Sequence, residues 1–307
     1  MTERLTIKKI LKKTTDYFKE HGIETARLDA EVLLADLLDM ERIKLYVNFD
    51  RPLTEVEINQ YRQRVIQRAK RMPVAYIIGY QEFMSLKFKV NEDVLIPRPE
   101  TEHLVEAVIQ RVNKLADKRE KLTVIDLCTG SGAIIISLAK ELADVPLEIN
   151  YIGTDVSQEA LAVAKDNAKL HQVQNQIQFL VGDLLNPVKE LNLKPDIIIS
   201  NPPYIADKEL QELEPELQYE PEIALKAGEN GIDFYRQIIS ETEQLLTDGG
   251  IIGFEVGNQQ SKSVYQLLEE NNFINLTVID DYAEVPRVIL GEKALDGRKG
   301  SRFNGSN

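Results

Sequence analysis

Residues 124–139 read VIDLCTGSGAIIISLA: an apolar strand pattern, a turn carrying two glycines, then an apolar helix pattern. Gly130 and Gly132 can take backbone angles closed to other residues and let a ligand approach the main chain. The turn departs from the dinucleotide fingerprint, since Cys128 and Ala133 stand where the G-x-G-x-x-G frame requires glycine. No Gly-Lys-Ser/Thr follows, which excludes a phosphate-cradling P-loop. Asp126 lies two positions before the turn. A carboxylate there would repel a pyrophosphate but attract a cofactor with a cationic amino-acid end. S-adenosyl-L-methionine has such an end, with a sulfonium and an α-ammonium.

From Lys121 onwards, strand and helix patterns alternate. The strand candidates are LTVIDL, NYIGTDV, IQFLVGD, DIIIS, GGIIGFEV, NLTVIDD and PRVIL; AIIISLAKEL, SQEALAVAKDNAKLH, FYRQIISETEQLL and KSVYQLLEEN are helical. This alternation predicts a Rossmann-like α/β domain, a parallel sheet with helices on both faces. The last two strands lack an intervening helix, which predicts an antiparallel hairpin at one sheet edge. Asp155 ends the second strand candidate, at about the distance (roughly 20 residues) where an acid reads ribose hydroxyls. Asp183 ends the third, where it would accept from an adenine amino group while Leu184 packs on the ring. Any one of these acids alone reads as a strand-end cap. Three at successive strand ends, beside a glycine turn, read as a cofactor site.

The fourth strand candidate runs into Asn201-Pro202-Pro203-Tyr204. Two prolines remove two backbone donors and hold the chain extended, which leaves nearby carbonyls free of a ladder. The Asn201 side-chain oxygen and the Pro202 carbonyl form an acceptor pair for a planar NH₂ group, and Tyr204 can pack against that plane. An amide nitrogen is a poor nucleophile; acceptors on its hydrogens and a held geometry would favour attack on a sulfonium methyl.

Residues 1–75 read as helices only. Ile7, Ile10, Leu11 and Phe18 recur at helical spacing before Gly22, and RLDAEVLLADLLDM carries a second apolar stripe. Thr54 with Glu57 forms a capping box for a third helix. The basic run from Arg62 to Arg71 reads equally as a partner surface or a solvated face. Residues 76–96 read as a hairpin linker, with AYIIGY pairing FMSLKFKV. Pro99 then suits the first turn of a helix. Residues 97–290 form the α/β domain and 291–307 a Gly/Ser-rich tail expected to be disordered.

The 307 residues carry 50 acidic and 37 basic side chains, a net charge of −13. A field of that sign disfavours a nucleic-acid partner. Cys128 is the sole cysteine, which excludes a multi-cysteine zinc site, and no metal is expected. No stretch approaches the roughly 20 apolar residues of a membrane helix, and no signal-type apolar region follows the N-terminus. These features predict a cytoplasmic protein.

RLDAEVLLADLL, PVAYIIGYQEF, VLIPRPETEHLVE, DLCTGSGAI, SNPPYI and EPEIALKAGENGIDFYRQI together resemble the release factor glutamine methyltransferases, the PrmC/HemK family. The resemblance runs from about Ala26 to Leu290. It implies a helical N-terminal docking domain, a hairpin linker and a seven-stranded class I methyltransferase domain. It further implies methyl transfer to the N5 atom of the glutamine in the Gly-Gly-Gln loop of class I release factors 1 and 2. The residues matching its cofactor loop are Cys128, Thr129, Gly130, Ser131 and Gly132, with Asp155 and the Leu184 region. Asn201 to Tyr204 match its glutamine pocket. The family's loop more often opens on glycine, so Cys128 is a departure. Two other readings share the acceptor geometry: methylation of a ribosomal-protein glutamine, and adenine-N6 methylation of a nucleic acid.

Overall fold

The computed structural model describes residues 5–116 and 119–295. It divides into two compact units: Met1–Tyr80 with Glu214–Tyr219, and Gln81–Leu213 with Glu220–Asn307.

The first unit holds α1 (Ile7–Glu20), α2 (Ala26–Leu37), α3 (Arg42–Val47), α4 (Glu55–Ala69) and α5 (Val74–Ile78). Ile7, Leu11, Phe18, Leu33, Leu34, Leu45 and Tyr61 are buried at its centre. Each such side chain contributes roughly 1.5–3 kcal/mol when taken out of water. Thr54 caps α4 through the capping box, its Oγ1 accepting from the Glu57 amide while Glu57 Oε2 accepts from the Thr54 amide at 2.7 Å. The basic run is neither a free surface nor a solvated face throughout. Arg64 donates to Asp36 at 2.7 Å, and buried Arg68 donates to Asp29 at 2.7 Å and Glu216 at 2.8 Å. Arg71 also donates to Glu216, and Tyr219 Oη to the Lys70 carbonyl.

Two local expectations are corrected. The apolar stretch AYIIG is helical rather than extended, because Pro73 opens α5 and Gly79 closes it at φ 83°. The helical unit therefore runs to Tyr80, and the hairpin is shorter: β1 (Tyr80–Phe83) and β2 (Leu86–Lys89). That hairpin does not stand apart as a linker, since Phe83 and Phe88 are buried in the core of the second unit.

The rest of the second unit is α6 (Glu102–Ala116, after a 3₁₀ turn at Pro99–Thr101), β3 (Lys121–Leu127), α7 (Ala133–Glu141), β4 (Glu148–Asp155), α8 (Gln158–Leu170), β5 (Ile177–Val181), α9 (Asn186–Glu190), β6 (Ile197–Ser200), α10 (Asp233–Leu245), β7 (Ile251–Glu255), α11 (Ser261–Glu270), β8 (Phe273–Asp280) and β9 (Pro286–Lys293). Seven strands form one sheet in the order β5-β4-β3-β6-β7-β9-β8. The first five are parallel, and β9 enters antiparallel between β7 and β8. β6 and β7 are apolar and buried along nearly their whole length, as strands covered on both faces must be. The strand order reverses between β3 and β6, where doubly wound sheets open a crevice at the strand carboxyl ends. β9 continues to Lys293; of the expected disordered tail, residues 296–307 lie outside the described residues.

Candidate active site

A cavity sits at the carboxyl ends of these strands. Cys128, Gly130, Asp155, Asp183, Leu184, Asn201 and Pro203 line it, so the expected residues from four successive strand ends meet at one place. Thr129, Ser131 and Gly132 are buried behind the lining. Pro202 is buried, and Tyr204 is half-buried against the core beside α10.

The loop after β3 is shaped by backbone angles. Cys128, Gly130 and Gly132 all have left-handed φ, at 57°, 53° and 80°. The conformation explains why glycine suits the first position, and Cys128 carries the strain of a side chain there. At Gly132 a methyl group would lie 2.8 Å from Ile136 Cδ1 and 3.2 Å from Ala164 Cβ, so the helix can pack there only without one. The Thr129 amide donates to the Thr154 carbonyl at 2.9 Å, extending the pairing of β3 with β4 into the loop. Asn167 of α8 donates to the Ser131 carbonyl at 2.9 Å while exchanging bonds with the backbone of Lys89. This fully buried asparagine ties hairpin, loop and helix together.

Asp155 is the hub of the loop. Its Oδ2 accepts from the Gly130 amide at 2.9 Å and its Oδ1 from the Ser157 amide at 3.0 Å. Burial nonetheless raises its pKa. Asp183 is exposed, on a tight turn that Leu184 completes at φ 46°. Asp126 is placed differently from the other acids: it is fully buried and does not line the cavity. Its Oδ2 accepts from Thr129 Oγ1 at 2.6 Å, whereas its Oδ1 has no hydrogen-bond partner among the described residues. Burial, with a smaller push from Asp155, raises its pKa to about 7, against the Thr129 hydroxyl and the Ile135 backbone amide, which favour the charged form. An unmet acceptor beneath the loop suits a ligand that brings a cation. Burial and the neighbouring Asp155 also push the Cys128 thiol up, so it is no nucleophile.

At the end of β6, Asn201 Nδ2 donates to Thr101 Oγ1 at 3.3 Å. The side-chain oxygen is thereby left for a ligand in the cavity. Gln260 holds the next turn, donating to the carbonyls of Tyr204 at 2.8 Å and Gly231 at 3.2 Å while accepting from the Gly257 amide at 3.1 Å. Burial pushes the Tyr204 phenol up to about 12, so it stays neutral.

Several lining residues were not singled out from the sequence: Val94 and Leu95 after the hairpin, Ser157 and Ala160 at the start of α8, and Ile223 and Phe234 beyond the proline turn. Glu220 joins two of these segments. Its carboxylate accepts from the Ile96 amide at 3.0 Å and from Arg98, closing EPEIAL against LIPRP. Both segments had stood out only as parts of the resemblance.

A seven-stranded sheet of this order, with a glycine loop after β3 and acids at the ends of β4 and β5, defines a class I methyltransferase. Residues 118–294 match the family model described as a methyltransferase domain, and residues 9–79 match the PrmC N-terminal domain. Release factor glutamine methyltransferases from Clostridium acetobutylicum and Leptospira interrogans are 38% and 42% identical to this chain. The first alignment covers 93% of this chain and 98% of the relative, the second 83% and 87%. The chain belongs to the release factor glutamine methyltransferase family. Among solved structures, the hMettl16 catalytic domain in complex with a 3′UTR hairpin aligns at a TM-score of 0.53, with 16% identity over 79% of this chain and 84% of that one. That likeness is one of fold.

Proposed function

We propose that this protein transfers a methyl group from S-adenosyl-L-methionine to the N5 amide nitrogen of the glutamine in the Gly-Gly-Gln loop of class I release factors 1 and 2, in the cytoplasm. One observation carries the reading. Asn201 lines the same cavity as Asp155 and Asp183, and its amide nitrogen is engaged behind it by Thr101.

The residues present fit the cofactor. Asp155 would hold the ribose hydroxyls, Asp183 the adenine amino group, and Leu184 the ring. The loop Cys128–Gly132 would receive the amino-acid end over Asp126, whose buried carboxylate a cation would neutralise. The bound cofactor supplies a methyl group already activated by its positive sulfur. The protein's part is then positional. Asn201 Oδ1 and the Pro202 carbonyl would accept the two amide hydrogens, Tyr204 and Pro203 would fix the plane, and the nitrogen lone pair would be turned towards the methyl. The N–CH₃ bond would form as the S–CH₃ bond breaks, the sulfur keeping that electron pair, and one amide proton would leave to solvent. Acceptors on both hydrogens return electron density to a nitrogen that resonance has depleted. The helical unit, matched by the PrmC N-terminal model, would dock the release factor.

The test is a methyl-transfer assay with labelled S-adenosyl-L-methionine and purified release factor 1 or 2, beside the Gln→Ala variant of the Gly-Gly-Gln loop. Label on the native factor alone is expected. Label on neither factor would sink the substrate assignment, and equal label on both would move the target away from that glutamine.

A further inference from the structure

We infer that Thr101 and Glu255 decide which way round the Asn201 carboxamide sits, and so present its oxygen rather than its nitrogen to the substrate amide. The inference rests on Asn201 being the group that holds the substrate nitrogen. Neither residue lines the cavity, and both are buried, at 4% and 1% exposure. They are positioning residues.

The placement follows from the sheet. β6 and β7 are parallel neighbours with Ser200 opposite Phe254, so Asn201 and Glu255 leave adjacent strand ends. Thr101, at the turn that opens α6, stands between them. Its Oγ1 donates to Glu255 Oε2 and accepts from Asn201 Nδ2 at 3.3 Å. Tyr235 Oη donates to the Glu255 carbonyl at 2.9 Å and fixes the strand end.

The direction of this chain is forced by proton counting. A carboxylate only accepts, and a hydroxyl has one proton to give. With Glu255 ionised, the Thr101 proton is committed to it, and Thr101 can only accept from Asn201. A reversed carboxamide would set two acceptors, Oδ1 and Oγ1, against each other in a buried place, which is costly. A charge at the far end of the relay therefore selects the useful orientation at the near end. When Glu255 takes up a proton, the Thr101 hydroxyl is released to donate to Asn201 Oδ1. The flipped amide would then meet the substrate NH₂ donor to donor.

The groups facing Glu255 are Arg287 of β9, Arg98 and Glu100 before α6, Tyr204 after β6 and Tyr235 of α10. Burial is the largest influence and raises its pKa to about 7; Thr101 and the two arginines favour the charged form, and Glu100 opposes it.

The experiment compares T101V, T101S and E255Q in the full chain, measuring kcat on release factor, cofactor Kd and the pH profile of kcat. T101V should lose kcat on the order of 10- to 100-fold, as when a group that orients a functional ligand is removed, with cofactor Kd unchanged. T101S should recover most of that loss. E255Q, whose amide can donate or accept, should also lower kcat and flatten the decline of the wild type below about pH 7. Wild-type kcat in T101V, or equal losses in T101V and T101S, would overturn the relay. It is also read without substrate, by the side-chain ¹H–¹⁵N signals of Asn201. These should titrate in the wild type and not in E255Q, and a pH-independent wild-type signal overturns the relay. Failure of the wild type to label any release factor would overturn the substrate reading alone.

Discussion

The Gly130 amide donates to Asp155 Oδ2 at 2.9 Å, so a carboxylate that lines the cavity also holds the loop beside it. Its other oxygen accepts from the Ser157 amide at 3.0 Å, at the start of the next helix. Asp155→Ala removes both bonds together with any ligand contact. Hydrogen bonds to charged groups contribute about 1.5–3 kcal/mol each, so cofactor Kd should rise at least about tenfold. Titration calorimetry reads this directly. An unchanged Kd would take Asp155 out of the cofactor site.

Two positions of the same loop should respond unequally to small changes. Gly132→Ala forces a methyl against Ile136 and Ala164 at φ 80°. A left-handed non-glycine residue costs roughly 1–2 kcal/mol before any clash is counted. We expect a lower melting temperature and weaker cofactor binding. At Cys128, with φ 57°, glycine relieves strain instead. Cys128→Gly should bind cofactor within about threefold of the wild type, because the relieved strain and the lost packing are both near 1 kcal/mol. A tenfold loss would mean that the thiol itself contacts the ligand.

How far the site could be read from sequence depended on how local its signals were. The β3 turn, the strand-end acids and Asn201-Pro-Pro-Tyr204 are each written in a few adjacent residues, and their strands are apolar enough to be placed in order. Val94, Ile223 and Phe234 reach the cavity through long-range closure, in which Glu220 meets the Ile96 amide, and no local pattern marks that. Asp126 carried the right chemistry but not its depth, since a buried strand end and an exposed one look alike in sequence. The five apolar residues of α5 fit strand and helix equally, and only the Pro73 and Gly79 boundaries decide between them. Arg68 is indistinguishable in sequence from its solvated neighbours, and only Asp29 and Glu216 beside it set it apart.

Arg68 also yields a stability prediction. Its side chain is 7% exposed and pairs with Asp29, 8% exposed, at 2.7 Å. Removing one partner of a buried pair strands the other charge, at a cost of about 3–5 kcal/mol. Arg68→Ala should therefore lower the denaturant midpoint of the helical unit markedly. The double variant Arg68→Met, Asp29→Leu should recover much of the loss, because no unpaired charge remains. If the double variant is as unstable as the single one, the pair serves more than charge balance.

The last prediction concerns pH and Asp126. Its carboxyl is raised from an ordinary 3.8 to about 7, chiefly by burial, so the folded protein binds this proton more tightly than the unfolded chain does. For such a group the stabilisation is fully present below the unfolded value and is lost as pH rises through the folded one. Between about pH 4 and pH 7 the contribution of Asp126 to stability should thus fall with rising pH. Asp126→Asn, which stays neutral, should remove that part of the slope in denaturation experiments. A cationic ligand end over Oδ1 would favour the charged form and lower this pKa again. Cofactor binding near pH 7 should then release a proton, measurable as a buffer-dependent binding enthalpy that Asp126→Asn reduces. Binding enthalpies of the wild type that are equal in buffers of different ionisation heat would show that Asp126 does not feel the cofactor's charge.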